Sequence, residues 1–135
     1  EELTDIKQLR SLAVDFLDNG GGSGEEFCDY CQGDRDPRSS DNPEKAIISL
    51  KNDRETEYKV YIAVQNELVA AYNVLRNREF ARLYPNEGLT YVEADLKYSD
   101  PRTSIDDKSD LKDKLDVIKA LYPQKLSEAE PSKVN

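Results

Sequence analysis

Two cysteines stand three positions apart, as Cys28-Asp29-Tyr30-Cys31, and no histidine occurs in the 135 residues. A CxxC pair admits three chemistries. Thiol–disulfide exchange needs a strand before the pair and a helix N-terminus after it, to lower the thiol pKa. Here a glycine-rich run precedes and Gly33-Asp34-Arg35-Asp36-Pro37 follows, so a thiol oxidoreductase is disfavoured. Zinc needs four ligands, and Cys28 and Cys31 supply two, so a site would have to be shared between two copies of the chain. The third possibility is a loop staple, either a disulfide or two packed thiols, with the disulfide form confined to a non-reducing environment. All three stay open, and the staple fits the flanking residues best.

Other chemistry is thinly represented. Without histidine, the usual general base, triad member and commonest metal ligand are missing. Asp34, Asp36, Asp41 and Asn42 could hold a hard cation, but Arg38 falls where a calcium loop needs an acid. They are expected to be turn and cap residues. Gly20-Gly21-Gly22-Ser23-Gly24 lacks the Lys-Ser/Thr end of a phosphate cradle and follows a helix rather than a strand. The carboxylates are scattered over polar faces and read as solvated. No catalytic group, metal or cofactor is expected.

Length favours one domain. Apolar residues make up 37% and charged residues 35%, so the core should be small for the length. The 19 basic and 28 acidic residues leave a net charge of −9, which argues against nucleic acid and anionic membrane as partners. No apolar run approaches the roughly 18 residues that cross a bilayer. The chain has no methionine and begins at Glu1 at a helix start, so it is expected to be a fragment, with any membrane segment upstream.

The elements that must position these residues follow from periodicity. Leu3, Ile6, Leu9, Leu12, Ala13, Phe16 and Leu17 recur at helical spacing, predicting a helix over 5–18, started by Thr4 or Asp5 and stopped at Asn19-Gly20. Residues 20–44 show no periodicity and form a long loop, mobile or locally pinned, with Phe27, Tyr30 and the cysteines as anchors. Residues 46–50, AIISL, predict a buried strand with Ile47 and Ile48 on opposite faces. A long helix follows, capped by Thr56, with Tyr58, Tyr61, Ile62, Leu68, Val69, Tyr72 and Leu75 as its stripe. It can run to Tyr84 before Pro85, and its C-terminal half is expected to project. Residues 86–108 are ambiguous: TYVEA suits a strand or a helical turn, and SDPRTSIDD reads as loop. Ser109 is expected to cap a helix carrying Leu111, Leu115, Ile118 and Leu121 to Pro123. Residues 124–130 read as a closing strand. The whole predicts a small two-layer α/β (α+β) fold. Its short sheet would have a parallel βαβ-like crossover packed on two or three helices, with a long loop insertion, over residues 1–131 and a tail at 132–135.

These segments also resemble a known family. ISLKNDRETEYKVYIAVQNELVAAYNVLRN and the terminal YPQKLSEAEP are similar to the ExbD/TolR biopolymer-transport family, in the branch with a CDYC-x-G-x-RDP-x-SS insertion, here Cys28 to Ser40. The resemblance implies the periplasmic domain of an inner-membrane subunit, on the periplasmic side of the bacterial inner membrane, whose transmembrane helix and first strands lie upstream. It implies a homodimer, an ExbB-like channel partner, a TonB-like energy transducer, and coupling of proton-motive force to outer-membrane transport without catalysis. The family's proton-handling aspartate sits in the transmembrane helix, so no residue here inherits that role. The partner would dock on a strand edge, among Ala46, Ile47, Ile48, Ser49, Leu50, Lys125, Leu126 and Ser127, or on the first helix. The alternatives are a TolR-like, peptidoglycan-binding envelope subunit and, from another class, the CxxC oxidoreductase.

Overall fold

A computed structural model describes residues 6–51 and 57–129. Among the described residues four α-helices and one pair of short strands form the regular structure, with 3-10 turns at Gly24–Glu26 and Pro85–Glu87: α1 (Ile6–Leu17), β1 (Ile48–Lys51), α2 (Tyr58–Leu83), α3 (Tyr91–Ser99), α4 (Ile105–Leu121) and β2 (Leu126–Ala129). The expected two-layer α/β fold is therefore overturned: the molecule is predominantly helical. β1 and β2 pair in parallel, Ile48 opposite Leu126 and Lys51 opposite Ala129, but two four-residue strands make a ladder and not a layer.

The difference arises between residues 86 and 108, where the chain spends its length on helix. Thr90 starts α3 with a full capping box: its side chain accepts from the Glu93 N–H, and Glu93 accepts from the Thr90 N–H. TYVEA is thus a helix start and not a strand. Ser104, not Ser109, caps α4, accepting from the Asp107 N–H with Asp106 and Asp107 favourably placed in the first turn. Part of SDPRTSIDD is therefore helix. The proposed caps at Thr4, Asp5 and Thr56, together with Leu3, Glu130, Pro131 and the tail at 132–135, lie outside the described residues.

α2 is 26 residues long, about 39 Å, and serves as the spine. Around its middle, Leu68, Ala71, Tyr72 and Leu75 pack with Ala13 and Leu17 of α1, with Ala46 and Leu50, and with Tyr122. Farther along, Phe80 packs with Tyr91 and Ala94 of α3 and with Leu111, Leu115 and Ile118 of α4. The expectation that the C-terminal half of α2 projects is reversed: α3 and α4 cover that half, while Tyr58 at the other end is 78% exposed. The predicted strand at 46–50 is shifted as well. Ala46 is buried ahead of β1, with its N–H bonded to the Asn42 carbonyl, and Ile47 is exposed.

Residues 20–44 are locally pinned. The Asn19 amide reaches across the loop, donating to the carbonyls of Asp36 (2.9 Å) and Ser40 (2.7 Å) and accepting from the Asp36 N–H (3.1 Å). Arg35 bonds the carbonyls of Gly20, Cys28 and Cys31 and lies over the Phe27 ring at 4.8 Å. The principal anchors are thus Asn19 and Arg35, neither of which was among the anchors expected. This closure depends on glycine, as two positions illustrate. Gly20 takes φ +66°, and a Cβ on Gly21 would stand 2.2 Å from the Asp36 carbonyl oxygen. Gly21→Ala should cost more than about 1 kcal/mol in urea unfolding. An unchanged midpoint would show that this close approach is absent in solution.

Candidate functional site

The CxxC loop, the end of α4 and the strand pair meet at one buried polar hub, built where α1 ends. Asp18, 5% exposed, follows the last residue of α1 and turns its carboxylate to the Arg78 guanidinium, at 2.8 and 3.1 Å. The same carboxylate accepts from the Tyr122 hydroxyl at 2.5 Å. Arg78 continues to the Tyr122 hydroxyl oxygen (2.9 Å), the Tyr30 carbonyl (3.3 Å) and Glu79 (3.0 Å). Glu79 is fully buried and also accepts from Arg82. The buried carboxylates of Asp18 and Glu79 are therefore each paired with arginine, which such groups require to avoid a large desolvation cost.

A second arginine closes the end of α4. Arg76, 8% exposed, donates twice to the Tyr122 carbonyl, at 3.0 and 2.9 Å, and once to the Tyr91 hydroxyl at 3.3 Å. Its guanidinium lies near the rings of Tyr72 (5.8 Å) and Tyr91 (5.4 Å). Tyr30 donates its hydroxyl to the Leu121 carbonyl at 2.5 Å and packs edge-on against Tyr122. Tyr72 accepts from the Lys125 N–H at 3.0 Å, and the Lys125 carbonyl accepts from the Ile48 N–H at 3.0 Å. Helix ends leave carbonyls without partners. In this fold side chains from the loop and from α2 serve them, and so set where β2 begins.

Burial shapes the tyrosine chemistry. The Tyr30 phenol is pushed up to about 12 by burial, with the Glu44 carboxylate adding to it. Tyr122 is driven higher still, by burial and then by its bond to Asp18. Tyr72 and Tyr91 are raised by burial. Arg78 is held above its ordinary value: burial opposes this, but its bond to Asp18, with Tyr122 and Glu79 adding to it, outweighs burial. A phenol that ionises later in the folded chain stabilises the fold below its unfolded value and loses that contribution as pH climbs to the folded one. For Tyr30 that window runs from 10.0 to about 12. Absorbance titration of the eight tyrosines should therefore split, with a late cooperative fraction that coincides with loss of helical circular dichroism above pH 10. One non-cooperative wave with the helix signal intact would contradict the burial of these phenols.

Cys28 and Cys31 form a disulfide, both sulfurs being spent on each other, and the side chains are 3% and 4% exposed. No helix follows the pair directly, so it lacks the setting of a catalytic dithiol. A ring of sequence separation 3 removes only roughly 2 kcal/mol of unfolded-chain entropy. Asp36 engages Arg38, Asn42 donates to Glu26, and the Gly21 and Gly22 N–H groups donate to the Ser40 and Asp41 carbonyls. Asp36 and Asn42 also serve local turns, accepting from the Arg38 and Lys45 N–H groups.

The strand-edge candidates divide by geometry. Alternate residues of a strand direct their backbone groups to one neighbour. Ile48 faces β2, hence Leu50 does, while Ile47, Ser49 and Lys51 turn their N–H and C=O away. Ile48 and Leu126 lie half-buried against the core, Leu50 is buried, and Ser49 and Lys125 are exposed. Residue reasoning missed Asp18, Arg76, Arg78 and Glu79, and its picture of solvated carboxylates fails at Asp18 and Glu79. One signal was available: Leu68, Tyr72, Leu75 and Glu79 continue a single helical stripe, and an acid on an apolar stripe marks a buried pair. No family model, curated protein or solved structure matches this chain.

Proposed function

We propose that this chain is a non-catalytic interaction domain that receives an extended segment of a partner along the outer edge of β1. The observation that carries the reading is the β1–β2 pair itself. Two strands are fewer than a self-sufficient sheet normally has, and one side of Ser49 presents backbone groups that no described strand meets. Strand addition would satisfy those groups through main-chain bonds, and the exposed Ile47 side chain next to them offers apolar area for selectivity. The bond from the Lys125 N–H to Tyr72 supports this role, since it fixes the root of β2 beside Ile48.

The partner's identity rests on the wording of residues 28–40, 48–77 and 122–131, which resembles the ExbD/TolR family. In that reading the domain works on the periplasmic side of the inner membrane beside an ExbB-like channel, and the added strand comes from a TonB-like energy transducer.

Ser49→Pro tests the edge. Proline is tolerated at an edge position whose N–H faces away from the ladder, but it removes the donor that an incoming strand needs. In amide-resolved titration with periplasmic segments of a TonB-like protein, residues 47–51 should shift in the parent chain. The variant should stay folded and weaken binding about ten-fold or more. Binding that is unchanged in the variant, or shifts confined to α1, would refute docking at this edge.

A further inference from the structure

We infer that the Cys28–Cys31 disulfide is a reversible modification site, a substrate for a dithiol reductant, whose state controls how firmly the end of α4 and the root of β2 are held. The pair does more than close a turn. The residue between the cysteines that reaches farthest is Tyr30, and it joins the loop to the hub in three ways. Its hydroxyl bonds the Leu121 carbonyl, its own carbonyl accepts from Arg78, and its ring lies edge-on to Tyr122 at 5.4 Å. Arg35 clamps the carbonyls of both cysteines at 2.8 and 2.6 Å, so the conformation of the bridged turn sets the position of Tyr30. Beyond Tyr122, Lys125 carries the connection into the ladder through its bonds to Tyr72 and Ile48. The bridged turn is thus linked to the end of α4 by side-chain bonds, and from Tyr122 to β2 by the chain itself and the backbone bonds of Lys125.

A cleft gives an approach to Cys28, whose side chain is otherwise only 3% exposed. A cleft of about 280 Å³ lies elsewhere, beside Pro85, but a separate one of about 250 Å³ has Cys28 on its wall with Glu25, Phe27, Tyr30, Asn42, Glu44 and Ala120. A thiolate entering it attacks the Cys28 sulfur, the Cys28–Cys31 bond breaks, and Cys31 leaves as a thiolate beside the Arg35 guanidinium. The second thiol of the reductant, as its thiolate, then attacks its own sulfur in the mixed disulfide and releases Cys28. Two electrons pass from the dithiol to the cystine, the dithiol becomes a disulfide, and its two protons end on the cysteine thiols. Because the ring is small, breaking it should loosen the turn locally and leave the fold standing.

The experiment is amide hydrogen exchange on the whole chain, oxidised and after reduction by dithiothreitol, with free thiols counted. It reads this chain's own amides, so it succeeds or fails separately from the partner-strand reading. Reduction should speed exchange about ten-fold or more at Gly33, Arg35, Tyr122 and Lys125, leave Ala94 and Lys108 unchanged, and reverse on reoxidation. Tyr30→Phe, with the disulfide intact, should speed Tyr122 and Lys125 alone. The inference is overturned by complete reduction without change at Tyr122 and Lys125, or by equal acceleration at Ala94, which would mean global unfolding. It is equally overturned if Tyr30→Phe leaves Tyr122 and Lys125 at parent rates.

Discussion

Asp18→Ala should destabilise the fold by about 3–5 kcal/mol, the range seen when one partner of a buried ion pair is removed. The carboxylate serves two donors at once, the Arg78 guanidinium and the Tyr122 hydroxyl, and its removal leaves the hydroxyl proton without an acceptor and Arg78 with one carboxylate fewer. Tyr122 is fully buried and cannot turn to water for a new partner. Arg78 keeps Glu79 and the Tyr30 carbonyl, so its share of the loss is the smaller one. Asp18→Asn retains an acceptor for Tyr122 but loses the charge, and should fall between parent and alanine variant. Urea unfolding followed by circular dichroism gives the numbers. Typical domain stabilities are about 5–15 kcal/mol, so the alanine variant would be marginal. A loss below about 1 kcal/mol would mean that the hub opens to water in solution.

The second large effect belongs to the other end of α2. Phe80→Ala should cost about 3–5 kcal/mol, from lost apolar transfer and the cavity left behind. Phe80 is fully buried among Tyr91, Ala94, Leu111, Leu115 and Ile118, with the Tyr84 ring 5.2 Å away. Its loss should fall first on α3, a nine-residue helix that holds its place by this packing and by its capping box. Hydrogen exchange at Ala94, whose N–H bonds the Thr90 carbonyl, should rise before exchange at Gly33 in the loop. The reverse order, or a cost near that of a surface substitution, would show that the second cluster does not hold α3 in place.

The two variants probe the charged hub and one of the two apolar clusters that flank it along α2. This layout bears on the proposed docking edge. β1 and β2 are too short to stand alone, and their stability is borrowed from Ile48, Leu50 and Leu126 on the first cluster and from the Lys125–Tyr72 bond. A partner strand would therefore meet an edge whose roots are already fixed, which lowers the ordering cost of binding.

Much of the fold was legible in the residues because local physics decides it. The spacing of Ile6, Leu9, Ala13 and Leu17 requires α1, and Gly20 ends it through a left-handed φ. Pro85 stops α2, and the terminal YPQKLSEA supplies β2. Residues 86–108 stayed ambiguous because their signals are short polar caps, Thr90 with Glu93 and Ser104 with Asp107, ahead of weakly apolar helices; with that length unassigned, the strands at 46–50 and 124–130 were given the weight of a layer where the chain forms a two-stranded ladder. The proximity of the CxxC turn to the end of α4 was not legible, because Tyr30 and Leu121 lie 91 positions apart. Nor was the hub. Asp18, Arg78 and Tyr122 each suit an exposed helix end on their own, and only the packing of α1 and α4 against α2 takes them out of water together and obliges them to pair. Local periodicity and caps thus determined which segments are helices, while burial on α2, a property of the whole chain, decided which charges face inward and how the cysteine loop bears on the strands.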